Sequence, residues 1–273
     1  MLNVQWIKLD EVDSTNNVLR SSGCSGASRN LDTPDDRITL VTAEFQTAGR
    51  GAGTNHWESA KGENLLFSLR VMPSALPVSR MFVLSEAAAL AVRESLNAFL
   101  PLAPCPLPLF SVKWPNDIYY GDSKVAGILI ENDLQGSRVL RSTIGIGINV
   151  NQRRFVSDAP NPRSLADIVG HDVERRFVLE RFMDSFTHLY EQIEAGKEDA
   201  LDVLHEHYKS HLYRCGEEHK YVDEMGVFCA TIVDVEPSGH LILVDKEGTR
   251  RRYAFKEVRF VINEEVAPAL VNR

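Results

Sequence analysis

No stretch of this 273-residue chain approaches eighteen consecutive apolar residues, and the N-terminal "MLNVQWIKLDEVDSTN" has no charged segment leading into an apolar one. Neither a membrane-spanning helix nor a secretory leader is expected. Cysteine is scarce: Cys24, Cys105, Cys215 and Cys229 stand far apart with no C-x-x-C pair. That spacing excludes an ordinary zinc site or a disulfide framework, and a cytoplasmic location is expected. Positive charge is in deficit, with a net charge of −8, so the clustered Lys and Arg that a nucleic-acid partner demands are missing. The one basic run, Arg250 to Arg252, reads as a solvated strand face. Internal repeats are absent. The glycine-rich "QTAGRGAGTNHW" (46–57) lacks both the Gly-Lys-Ser/Thr ending of a Walker A loop and the helix-opening glycine of a dinucleotide fingerprint.

What is present is an ordinary globular composition, 44% hydrophobic and 25% charged, on a chain long enough for one large domain plus a small one. Short apolar runs at 38–44, 64–70, 109–114, 124–131 and 139–149 read as strands. Apolar residues at helical spacing over 82–100, stopped by Pro101, predict a helix, and so do 174–196 and 197–212. "STNNVLR" opens with two good capping residues and predicts a short first helix. Strands too close together for parallel crossovers favour an α+β fold with a central mixed, largely antiparallel sheet and flanking helices. After residue 222 the pattern becomes four short strands joined by "PSG" and "KEG". This separates a larger domain, 1–222, from a small β-barrel or sandwich, 223–273. Loop insertions are expected at 22–36 and 101–108.

Four polar islands interrupt the apolar strands. "DSTN" (13–16) either caps the first helix or presents hydroxyls to a ligand. The glycine loop follows a strand, so Gln46 points from the strand end, and Gly49, Gly51 and Gly53 let backbone N–H groups approach an anion. "KWPND" (113–117) is a turn, and with Lys124 beyond it, Lys113 and Lys124 are expected on consecutive strands of a hairpin. Lys124 could equally mark a strand edge. "GIGIN" (145–149) clears side chains from one face of a strand, either for a ligand or for close packing. Together these place three cations by a cleared sheet, with no Ser-His-Asp, Cys-His or paired-carboxylate set beside them. Such a site works by positioning and charge stabilisation, as phosphoryl or nucleotidyl transfer requires.

Taken in order, "DSTN", "AEFQTAGRG…W", "KWPND", "KVAGILIE", "GIGIN" and "RSLADI" (163–168) resemble the biotin protein ligase family over nearly the whole chain. The resemblance implies the fold shared with lipoate ligases, followed by an SH3-like barrel. It also implies ATP, Mg²⁺ and biotin: biotin is activated as biotinyl-5′-adenylate and passed to a lysine of a biotin carboxyl carrier domain. By matching position, the biotin-binding set would be Ser14, Thr15, Asn16, Gln46, Gly49, Arg50, Gly51, Ala52, Lys124, Gly127 and Gly145. Trp57, Lys113, Asn116, Asp117 and Asn149 would join Arg50 and Lys124 around the nucleotide. Arg50, Lys113 and Lys124 would be catalytic. Asp117 would either orient a lysine or assist Mg²⁺, which ATP phosphates mainly hold. The family loop commonly reads "GRGRxGRxW", whereas here Ala52 and Asn55 replace arginines and Thr54 replaces a glycine. Fewer charge contacts to the adenylate and its faster loss are expected. A monofunctional monomer or homodimer without a repressor role is the expected form. The rivals are a lipoate or octanoate ligase and a non-catalytic biotin or nucleotide binder.

Overall fold

The computed structural model describes residues 3–21, 38–73, 76–101, 109–156 and 161–262. The insertion expected at 22–36, nearly all of that at 101–108, and with them Cys24 and Cys105 lie outside the described residues. The main sheet is built from β1 (Val4–Val12), β2 (Ile38–Gln46), β3 (Leu65–Val71), β4 (Ser111–Lys113), β5 (Asp117–Tyr120), β6 (Ser123–Gln135) and β7 (Arg138–Ile148). Their order is β1-β2-β3-β7-β6-β5-β4. Only β1 and β2 run parallel, joined across by the short helix α1 (Thr15–Ser21), and every other pairing in this sheet is antiparallel.

Two helices, α2 (Val83–Asn97) and α4 (Arg175–Glu194), cover one face of this sheet. Alternation along β3 sends Leu65, Phe67, Leu69 and Val71 to that side, where Phe67 meets Phe182 edge-on at 5.0 Å. Each such fully buried side chain contributes about 1.5–3 kcal/mol of transfer free energy. The alanine-rich α2 is buried almost all round because it lies between β4, β5 and β6 and the helices α4 and α5 (Glu198–Lys209). Every residue of β3 is buried, since α1 covers its other face.

A second sheet holds β8 (Glu218–Asp223), β9 (Gly226–Val235), β10 (Leu241–Asp245), β11 (Arg250–Tyr253) and β12 (Arg259–Phe260), in the order β11-β10-β9-β8-β12 and antiparallel throughout. Its form is compatible with an SH3-like unit, and its first strand begins before residue 222. Between the sheets, α3 (Leu165–Val169) opens on Ser164, whose side chain accepts the Asp167 N–H, and closes on Gly170 in the left-handed region.

Candidate active site

The second face of the main sheet is where the polar islands meet. Two cross-strand rows define it: Ser68, Gly145 and Leu129 in one, and Leu66, Gly147 and Gly127 in the next. A Cβ built on Gly145 would stand 2.2 Å from Asn16 Oδ1, and one on Gly147 would stand 2.3 Å from the Trp57 indole. At Gly127 the indole would be 2.8 Å away. Thus α1 rests on Gly145, and Trp57 lies flat over the other two glycines. The close-packing reading of "GIGIN" holds at both glycines, against α1 at Gly145 and against Trp57 at Gly147. The buried Trp57 Nε1 has no hydrogen-bond partner among the described residues, an arrangement that costs free energy unless a ligand acceptor meets it.

At one end of this face the polar groups interlock. The Thr15 N–H and hydroxyl both donate to Gln46 Oε1, at 2.8 and 3.1 Å. Ser68 Oγ lies 2.7 Å from Thr15 Oγ1 and 2.6 Å from Asn16 Oδ1, so its single proton serves one acceptor at a time. Asn16 Nδ2 donates to Glu131, and the Arg50 guanidinium grips the same carboxylate at 2.9 and 3.1 Å. Arg20 is a further cation on Glu131. Burial pushes the Glu131 carboxyl up, but the Arg50 and Asn16 hydrogen bonds outweigh it and hold the group below its ordinary value. Capping of α1 does not occupy Thr15. Asp13 makes the local bonds, to the Ser14 N–H and to Asn17, while Ser14 is buried beside it.

The loop begins pinned to this end, since the Thr47 and Ala48 N–H groups donate to the Val12 and Asp13 carbonyls. It then closes on itself: Gly51 N–H donates to Asn55 at 2.8 Å and Trp57 N–H to Gly49 at 3.0 Å. Only glycine fits at 49, because a Cβ there would lie 2.6 Å from the Trp57 carbonyl oxygen. Ala52 sits in the turn between Gly51 and Gly53.

At the other end Lys124 Nζ pairs with Asp117 at 2.7 Å and lies 5.8 Å from the centre of the Trp57 ring. Lys113 is packed against the Phe260 and Tyr119 rings at 4.6 and 5.6 Å. Burial pulls its ammonium below the ordinary lysine value, against the opposing pull of Asp117, and Lys124 and Arg214 add to the depression. The hairpin expected to join the two lysines is corrected: β5 runs between them, pairing Lys113 with Asp117 and Tyr119 with Lys124. The four-residue β5, closed by a left-handed Gly121, was hidden between two turn signals. Nor is Lys124 at a sheet edge, because its N–H donates to Asn161 and its carbonyl accepts from Arg163. Arg50 stands at the Glu131 end, so the three cations do not gather at one point.

The "KWPND" turn, with its cis Trp114–Pro115 bond, is braced from behind. Asn116 Nδ2 donates to Ser85, Tyr208 to the Pro115 carbonyl, and Trp114 Nε1 to the Gly239 carbonyl of the second sheet at 2.9 Å. His205 ties α2 to the same sheet through Glu86 and the Val235 carbonyl. Asn149 is buried, its N–H on the Val125 carbonyl and its own carbonyl on the Leu165 N–H. Ser68, Glu131 and Gly147 complete the site without having been singled out from the sequence. Only Gly147 carried a signal there, as the second glycine of "GIGIN". Among the described residues no group of three or more His, Cys, Asp or Glu could hold a metal, and no helix is long and apolar enough to cross a membrane.

Comparison with known proteins gives this geometry a context. Residues 16–149 match the family described as Biotin/lipoate A/B protein ligase. The chain is 30% identical over 221 residues to a bifunctional ligase/repressor BirA of Bacillus spizizenii, covering 79% of this chain and 64% of the relative. It is 36% identical over 166 residues to a biotin–[acetyl-CoA-carboxylase] ligase of Mycobacterium tuberculosis, covering 60% and 56%. These matches span less than two thirds of the relatives' own lengths. A solved biotin protein ligase from Aquifex aeolicus in complex with biotin and ATP superposes with a TM-score of 0.70 at 28% identity, covering 94% of this chain and 99% of that one.

Proposed function

We propose that this chain, whose residues 16–149 match the Biotin/lipoate A/B protein ligase family, is an ATP-dependent biotin–[biotin carboxyl-carrier protein] ligase. The observation that carries the reading is the glycine-cleared sheet face, covered by Trp57, with an amide- and hydroxyl-rich end and a lysine end. The likeness to a structure holding biotin and ATP supports it. Biotin pairs a neutral ureido head with an anionic carboxylate; one end of the site offers directional amide and hydroxyl groups and the other offers lysines. Ser14, Thr15, Asn16 and Gln46 would take the ureido N–H and carbonyl groups, which need partners once buried.

A biotin carboxylate oxygen would then attack the α-phosphorus of ATP, forming the acyl-phosphate bond as the bond to pyrophosphate breaks. Lys124 would stabilise the charge gathering there, leaving Asp117 as it does so. Lys113, Asn116 and Asn149 would position the nucleotide, and Trp57 would lie along the adenylate. Arg50 would reach the carboxylate only by releasing Glu131. Mg²⁺ would be held mainly by the ATP phosphates, because among the described residues the carboxylate beside the lysines, Asp117, is already paired. In the second step the amine of a carrier-domain lysine would attack the adenylate carbonyl, AMP would leave with the bonding electrons, and the amine would lose its proton. Pyrophosphate exchange measured side by side with biotin, lipoate and octanoate tests this. Exchange with biotin alone is expected. Exchange with either of the others, or with none, would overturn the reading.

A further inference from the structure

The turn from Gly51 to Asn55 carries no cation, and the loop's only arginine, Arg50, is held by Glu131. Yet an ammonium stands at the loop tip. Lys256 Nζ lies 2.5 Å from the point a Cβ on Gly53 would occupy, so it fills the volume where a side chain at 53 would begin. Gly53 has φ +72, a conformation that favours glycine and opens this space. Lys256 comes from the turn between β11 and β12, and itself holds φ 76, which few non-glycine residues adopt.

The second sheet fixes that placement. Within the turn the Ala254 N–H donates to the Glu257 carboxylate and the Glu257 N–H to the Ala254 carbonyl. Phe255, beside Lys256, meets Trp114 edge-on at 6.2 Å, and Trp114 is the neighbour of Lys113. One aromatic contact therefore ties the turn that carries Lys256 to the "KWPND" turn. Charge balance points the same way: Lys124 and Arg50 are each paired with a carboxylate, whereas a nucleotide triphosphate brings several negative charges.

We propose that Lys256 is a phosphate-binding residue of the nucleotide site, delivered by the second sheet to a glycine loop whose tip has no cation of its own. This rests on the nucleotide site proposed above. The test is equilibrium binding of a non-hydrolysable ATP analogue and of adenosine to the full chain. Lys256→Ala is expected to weaken the analogue about tenfold, as loss of one charge-assisted contact does, while leaving adenosine unchanged. Lys256→Glu should weaken it further, Lys256→Arg should restore most of it, and Lys246→Ala on the same sheet should have no effect. Unchanged analogue binding in Lys256→Ala, or equal weakening of analogue and adenosine, would overturn the proposal in favour of a structural strap. Wild-type protein that binds the analogue but shows no biotin-dependent exchange would sink the ligase reading and leave Lys256 to be judged by this series. Wild-type protein that binds no analogue would sink both.

Discussion

The two ends of the site each hold a carboxylate among cations, but they solve different problems. Around Glu131, two arginines and an asparagine amide answer one carboxylate, and the neighbouring hydroxyls and amides have their hydrogen bonds mutually assigned. Around Asp117, one lysine is paired and a second is half-buried against aromatic rings with its charge disfavoured. The first end would suit a directional hydrogen-bonding ligand on the proposed function. The second keeps positive charge in poor solvent, which an arriving polyphosphate would relieve. On the proposed function, discrimination between acids would belong to the Glu131 end, and turnover to the Asp117 end.

The largest effect should fall on the second end. Lys124→Ala is expected to cut adenylate formation by about 10²–10³-fold, the usual loss when one donor to developing charge is removed. Biotin binding and the folded circular-dichroism spectrum should persist, and normal pyrophosphate exchange in this variant would break the assignment. Next comes Gly147→Ala, whose methyl would meet the indole at 2.3 Å. Moving Trp57 by about an ångström should cost on the order of 10²-fold in exchange rate, with a shifted tryptophan emission as its independent mark. At the Glu131 end, Gln46→Ala leaves the Thr15 N–H without its acceptor, a penalty of about 1–3 kcal/mol. It should raise the KM for biotin about tenfold and spare that for ATP; equal rises in both would erase the distinction between the ends.

How far these ends were legible in the sequence depends on the range of the interactions. "GIGIN" and the glycine loop carry local signals, so their strands could be placed, whereas β5, which begins at Asp117 of "KWPND", could not. The antiparallel core followed from strand spacing, and the second sheet from its turns. Strand β8, "EHKYVD", could not be read because Tyr221 is its single buried residue, and it becomes a strand only by pairing with β9 and β12. Strand β1 joins the sheet through β2 alone, and its adjacent Trp6 and Ile7 break the alternation. Glu131 lies 81 residues from Arg50, and no local pattern announces such a partner. Lys256 reaching Gly53 is a tertiary fact of the same kind.

The smallest effect is the one that separates the ends by titration. Because burial lowers the Lys113 pKa, its charge is lost at lower pH than that of a free lysine, whose value is 10.5. Charge is present below the folded-state pKa and falls about tenfold per pH unit above it. A bound polyphosphate favours the charged form, so the loss should appear in kcat/KM for ATP, which reports the free enzyme, before it appears in kcat. Arginine stays charged throughout this range, so Lys113→Arg should flatten the alkaline limb. If arginine does not fit, Lys113→Met should give a lower but equally flat profile. Among the described residues the cations on Glu131 are Arg50 and Arg20, so kcat/KM for biotin, measured at saturating ATP, should stay level over the same range. A bend of equal size in both profiles would mean that the two ends titrate as one site.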